Sequence, residues 1–88
     1  MGAIEVSYSE VADAQLDELE AGDDAQLYND VLETCTRIGA DPASAQSRSS
    51  AIQTEHGIRF SLAVRGHPSY KVFWSPDGPR IEALFKYP

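Results

Sequence analysis

Ile58-Arg59-Phe60-Ser61-Leu62-Ala63-Val64-Arg65 is the stretch that decides the fold. Large apolar side chains alternate with small or charged ones over eight residues, which is typical of a strand with one buried face. Gly66-His67-Pro68-Ser69 then turns the chain into a second such stretch, Tyr70-Lys71-Val72-Phe73-Trp74. The two stretches therefore predict a β-hairpin that packs one face against the rest of the chain.

The segments beside the hairpin extend it into a sheet. Ser75-Pro76-Asp77-Gly78 has proline and glycine where a tight turn uses them, and residues 80–87 predict a last strand. Residues 51–54 predict a short strand before the hairpin. The sequence thus favours three or four antiparallel strands in its second half.

The first half of the chain predicts one strand and two helices. Residues 3–8 alternate like a half-buried strand, and Ser9 is placed to cap a helix over residues 10–20. Asp23-Asp24 begins a second helix whose apolar stripe ends at Gly39. Residues 41–50 have the composition of a flexible connection.

These elements together predict an α+β fold in one domain, residues 1–88. The expected order is an N-terminal strand, an α-helical hairpin and then a three- to four-stranded antiparallel sheet with the helices on one face. A chain of 88 residues is long enough for one core and too short for a second domain.

Charge is distributed unevenly along the chain, whose net charge is -7. Residues 1–36 contain ten acidic residues and no lysine or arginine, whereas the remainder contains all seven basic residues and four acidic ones. Such a polarised chain is evidence about partners, with a well-solvated helical surface as the alternative explanation.

Strand alternation predicts where the basic residues lie. If the more apolar side chains of every strand face the helices, the opposite face carries five cations and one carboxylate, that of Glu82. We therefore expect a basic sheet face suited to phosphate contact, formed by Arg59, Arg65, Lys71, Arg80 and Lys86.

Several classes of protein are not indicated. Cys35 is the single cysteine, so neither an internal disulfide nor a thiolate metal cluster is expected, and no metal or cofactor is predicted. Cys35 and Trp74 fall among the predicted core residues. No apolar run approaches the roughly 18 residues that span a bilayer, and no signal peptide precedes the first strand. We expect a cytoplasmic protein without a membrane partner.

The layout resembles the RelE/ParE family of small toxins from type II toxin–antitoxin systems. The resemblance covers nearly the whole chain. Its residues are the opening Ile4–Ser9 leading into a helix, a following helix that ends at Arg37-Ile38, and the hairpin formed by Gly57–Leu62 with Tyr70–Trp74. Many members of that family cleave mRNA, some on the ribosome, and others poison DNA gyrase.

The resemblance implies a site for RNA cleavage on the basic sheet face. Arg59 is similar to the first basic residue of the family's central strand, and Lys71 takes the place of an arginine, so both are expected to hold phosphate. His67 is a candidate for proton transfer because its unperturbed pKa lies near 6.5. Ser61 stands where RNA-cleaving members often have a second lysine, which implies weak or lost catalysis.

Three functions follow as hypotheses. The first is a toxin that inhibits translation by mRNA cleavage, binds RNA or the ribosome, and is neutralised by a cognate antitoxin that covers the basic sheet face or adds to its edge. The second is a gyrase-poisoning toxin. The third is a non-enzymatic binding module whose acidic helices engage a basic partner or mimic a nucleic acid.

Overall fold

The computed structural model describes residues 6–87, which form three helices and a five-stranded mixed sheet. In chain order the elements are β1 (Ser7–Tyr8), α1 (Glu10–Ala21), α2 (Ala25–Ala40), α3 (Pro42–Arg48), β2 (Ser50–Thr54), β3 (Gly57–Val64), β4 (His67–Ser75) and β5 (Arg80–Lys86). The predicted α+β class is confirmed. Residues 3–5 of the predicted first strand lie outside the described residues.

The sheet has the strand order β1-β5-β4-β3-β2. Strands β2 to β5 form an antiparallel meander, whereas β1 pairs in parallel with β5 through Ser7 opposite Arg80. The short strand predicted before the hairpin is therefore present, and the sheet as a whole is mixed. All three helices lie on one face of it.

Side-chain caps fix where the helices begin. Ser9 Oγ accepts a hydrogen bond from the backbone N of Ala12 at 3.0 Å and donates one to the carbonyl O of Glu82 at 2.6 Å. Asp24 Oδ1 accepts from the backbone N of Leu27 at 3.0 Å. Each cap satisfies a backbone N–H that the helix itself leaves unpaired, and the first also ties α1 to β5.

The prediction of a flexible connection over residues 41–50 is wrong, because α3 forms there. Asp41 Oδ1 accepts from the backbone N of Ser44 at 3.1 Å, and Pro42 occupies the first turn, where its missing N–H has no cost. Ala45 is buried against the sheet. A good cap and one buried methyl group are enough to order a segment that is otherwise polar.

The core lies between the helices and the sheet. Trp74 is fully buried, its ring centroid is 5.2 Å from that of Phe60, and its Nε1 donates to Ser49 Oγ at 3.1 Å. Cys35 is also fully buried, so both core predictions are confirmed. The remaining buried apolar side chains are Ala12, Val31, Ile38, Ala45, Val64, Val72, Ile81 and Leu84.

A bulge in β5 changes which of its side chains face the helices. Phe73 lies opposite Ala83 but Trp74 lies opposite Ile81, so Glu82 is an extra residue in the ladder. Strict alternation therefore fails beyond Glu82, and Leu84 packs in the core while Phe85 points to the other side. The predicted place of Lys86 on the basic face is wrong for this reason: it lies opposite Tyr70, on the helix side.

Within residues 6–87, none of the helices is both long enough and apolar enough to span a membrane.

Candidate nucleic-acid interface

The sheet surface turned away from the helices is covered by no other element of the described chain, and we call it the open face. Its members follow from the registers of the four antiparallel strands, since directly opposed residues share a face. They are Ser50, Ile52, Thr54, Arg59, Ser61, Ala63, Lys71, Phe73, Ser75, Arg80, Glu82, Ala83 and Phe85, with Tyr87 just beyond β5.

Three aromatic rings form a cluster on the open face. Phe73 and Phe85 stack with centroids 4.7 Å apart, and Tyr87 meets Phe73 edge-on at 5.6 Å and Phe85 at 6.3 Å. Phe85 is 39% exposed and Tyr87 is 50% exposed. Exposed rings on an open sheet are a platform on which nucleic-acid bases stack.

Three cations flank this cluster. Lys71 lies between Ala63 and Phe85 on neighbouring strands, at the aromatic end of the face. Arg59 and Arg80 lie at the other end, where Arg59 Nε is 3.8 Å from Glu82 Oε2. Glu82 also accepts a hydrogen bond from Ser75 Oγ at 2.9 Å. The single carboxylate on this face is thus already engaged, and Lys71 and Arg80 make no ion pair within the described residues.

The two predicted phosphate clamps are far apart. Lys71 lies opposite Ala63, four residues along β3 from Arg59, which places the two residues about 14 Å apart by strand geometry. Arg59 Nη1 donates to the carbonyls of His56 and Ile58, and Lys71 Nζ donates to that of Pro68. The structure therefore does not bring these two side chains together at one phosphorus.

His67 lies on the opposite side of the sheet from Arg59 and Lys71. It pairs with Val64, whose side chain is buried under the helices, and its Nε2 is 2.9 Å from Asp30 Oδ2 on α2. Hydrogen bonds from Gln26 and then from His67 lower the pKa of Asp30. The imidazole therefore joins β4 to α2, and the structure does not bring it to the open face.

Arg65 and Lys86 also lie away from the open face. Arg65 follows the end of β3 and lines a groove with α2 and α3, on the helix side of the sheet. Lys86 lines a second groove there with Leu27 and Tyr70. Of the five predicted nucleic-acid contacts, three remain on one surface, namely Arg59, Lys71 and Arg80.

The sequence reasoning missed the aromatic character of the open face. Strict alternation along β5 predicts Phe85 and Tyr87 on the helix side with Ile81, because the extra residue in this strand leaves no compositional mark. Their spacing of two residues on one strand was the available signal, since it places both rings on the same side. Phe73 shares the face with Lys71, as alternation predicts.

The helical layer on the other side of the molecule is acidic. Helix α1 has Glu10 and Asp13 in its first turn and no basic residue in its last turn. Every carboxylate of α1 and of the turn before α2 is exposed. The open face and the acidic layer therefore have opposite charge on opposite sides of a thin molecule.

No group of three or more side chains suited to hold a metal ion occurs among residues 6–87. Comparison with known proteins finds no matching family model, no matching curated protein and no matching solved structure. The geometry of the open face therefore carries the functional proposal.

Proposed function

We propose that this protein binds single-stranded RNA on the open face of its sheet. The observation that carries the proposal is the cluster of Phe73, Phe85 and Tyr87 beside Lys71, in which Phe85 and Tyr87 are exposed on a face that no helix covers. Bases stack on such rings whatever their sequence, and the cations contact the backbone.

The expected binding is modest and depends more on stacking than on charge. Three cations on a chain of net charge -7 give little long-range attraction for a polyanion. Stacking contributes roughly 1–3 kcal/mol per base, so two exposed rings are the main favourable contribution. We expect tolerance of sequence and a preference for single strands over duplexes.

The resemblance to RelE/ParE toxins extends this proposal to a biological role. RNA held on the open face would be withheld from translation in the cytoplasm, and a cognate antitoxin would cover the same face. Separation of Arg59 from Lys71, and of His67 from both, supports binding without efficient cleavage.

Fluorescence anisotropy with a labelled twelve-residue oligouridine tests the RNA proposal. Phe85→Ala removes an exposed ring and should weaken binding at least about fivefold, since one stacked base is lost. Val11→Ala is the matched control, because Val11 is an exposed apolar residue on α1. Equal affinities of these two variants would contradict a stacking platform.

A pair of lysine variants tests which side of the sheet meets the phosphates. Lys71→Ala should lower the slope of log affinity against log salt by about 0.7, the value for one phosphate contact with a single strand. Lys86→Ala removes the same charge from the helix side and should leave the slope unchanged. A larger change in slope for Lys86→Ala than for Lys71→Ala would show that RNA binds elsewhere on the molecule.

Inducible expression in a bacterial host tests the toxin role separately. Growth arrest relieved by co-expressing the adjacent open reading frame is the expected result, with loss of protein synthesis. DNA-damage induction would instead favour gyrase poisoning, and normal growth would contradict both toxin hypotheses while leaving RNA binding to the anisotropy measurement.

A second candidate, an acidic module that binds a basic partner, is favoured by the end of α1. Glu18 and Glu20 occupy the last turn, where the helix dipole disfavours negative charge and where no basic residue offsets them. Contact with a basic partner would explain why carboxylates occupy this unfavourable position.

Calorimetric titration with a short oligolysine peptide tests this second candidate. Glu18→Gln combined with Glu20→Gln should weaken binding, and Glu55→Gln, which removes one of the exposed carboxylates outside the helices, is the control. If the helical double variant binds oligolysine as tightly as the control does, the carboxylates of α1 are only a solvated surface.

A further inference from the structure

A groove of about 640 Å³ lies on the helix side of the sheet, between α2, α3 and β3. Leu62 and Ala40 provide apolar surface in it. Three arginines line it from three different elements: Arg37 in the last turn of α2, Arg48 in the last turn of α3, and Arg65 after β3. Nearly half of the basic residues of the chain thus border a site that the RNA proposal does not use.

The strand that borders this groove has an unpaired edge. Strand β2 pairs with β3 only from Gly57 to Ser61, because the chain leaves α3 at Ser49 and enters β2 at Ser50. Leu62–Val64 therefore pair with β4 on one side and with no strand of the described chain on the other. Alternate backbone N–H and C=O groups of such an edge point outward, ready to pair with an extended segment.

The two acidic residues of the groove, Glu33 and Asp41, offset the charge of its three arginines only in part. Asp41 is engaged as the cap of α3 through the backbone N of Ser44. Glu33 approaches Arg37 only to 4.0 Å, with both side chains about half exposed. Arg48 and Arg65 make no ion pair within residues 6–87.

We propose that an extended acidic peptide segment of a partner protein binds in this groove, adding a short strand to the Leu62–Val64 edge while its carboxylates meet Arg37, Arg48 and Arg65. An unpaired strand edge forms hydrogen bonds with a peptide in an extended conformation. Three guanidinium groups spaced along the groove pair with carboxylates spaced along that peptide. Apolar side chains between the carboxylates would cover Leu62 and Ala40. This site lies across the sheet from the open face, so the proposal stands or falls independently of RNA binding.

The probe that tests it is a blocked eight-residue peptide of alternating glutamate and valine, titrated into the ¹⁵N-labelled protein. We expect the backbone amides of Leu62–Arg65 to shift and the binding to weaken with salt. A peptide with lysine in place of glutamate should leave the Leu62–Arg65 amides unshifted, even if it binds the carboxylates of α1. A glutamate peptide with alternate backbone amides methylated should bind at least tenfold more weakly, because it cannot pair with the edge.

Arginine variants locate the site. Arg48→Gln and Arg65→Gln should each weaken binding of the glutamate peptide about two- to fivefold, the effect expected of an exposed ion pair. Arg80→Gln removes the same charge from the open face and should have no effect. Circular dichroism of each variant checks that the fold is retained.

The proposal is overturned if the glutamate and lysine peptides shift the Leu62–Arg65 amides equally, if backbone methylation has no effect, or if the shifted amides lie on the open face. It is also overturned if light scattering shows a dimer in which the same Leu62–Arg65 amides shift with protein concentration alone, because a second copy would then occupy the edge.

Discussion

At the scale of single residues, burial determines the chemistry of Cys35 and Tyr8. Burial raises the pKa of the Cys35 thiol to about 12 from its ordinary 9.0, and burial, followed by the proximity of Cys35, raises the pKa of Tyr8 to about 12. Both groups are therefore neutral at physiological pH, which agrees with the assignment of Cys35 to the core.

A pH dependence of stability follows from these two groups. Folding favours their neutral forms, so their contribution is complete below pH 9 and is lost as the pH rises towards 12. The urea midpoint of the wild-type protein should therefore fall more steeply over this range than that of Cys35→Ala, which lacks the buried thiol. Parallel curves for the two proteins would contradict the proposed burial.

At the scale of elements, one hydroxyl group connects the helical layer to the sheet. Ser9 is 8% exposed, and its Oγ both caps α1 and donates to the carbonyl O of Glu82 at the bulge of β5. Ser9→Ala removes both hydrogen bonds and should lower the free energy of unfolding by about 1–2 kcal/mol in urea denaturation. Ser47→Ala, which removes an exposed hydroxyl of α3, should change it by less than about 0.5 kcal/mol. Equal losses would show that the cap does not matter.

The elements also show how far sequence patterns reach. Alternation correctly assigns Arg59 and Lys71 to the open face, because β3 and the second half of β4 follow a regular ladder. It fails at Lys86, because the extra residue Glu82 moves each later side chain of β5 to the opposite side of the sheet. The composition of β5 gives no sign of this bulge. It also fails at Ile58, which is predicted to be buried but is 50% exposed. Helix α3 is not predicted from the sequence, because its seven residues contain a single buried side chain and so show no helical periodicity.

At the scale of the whole molecule, the acidic residues are confined to one side of the sheet more strictly than the basic ones. The acidic first half of the chain becomes helices α1 and α2. The basic residues divide: Arg59, Lys71 and Arg80 lie on the open face beside the aromatic rings, whereas Arg37, Arg48, Arg65 and Lys86 lie on the helix side. The sequence could predict the acidic helices, since they depend only on which segments carry the acids. Phe73, Phe85 and Tyr87 lie together only because of the strand register and the bulge in β5. Their cluster therefore could not be predicted from the sequence.

The central claim, that the open face of the sheet binds single-stranded RNA, is tested most directly by nuclear magnetic resonance. Oligouridine is titrated into protein labelled with ¹⁵N and with ¹³C in its aromatic rings. We predict shifts of the ring signals of Phe85 and Tyr87 and of the backbone amides of Ser61, Lys71 and Phe73, with α1 and α2 unaffected. Shifts confined to the helical layer, or to the groove beside Arg48 and Arg65, would contradict the claim.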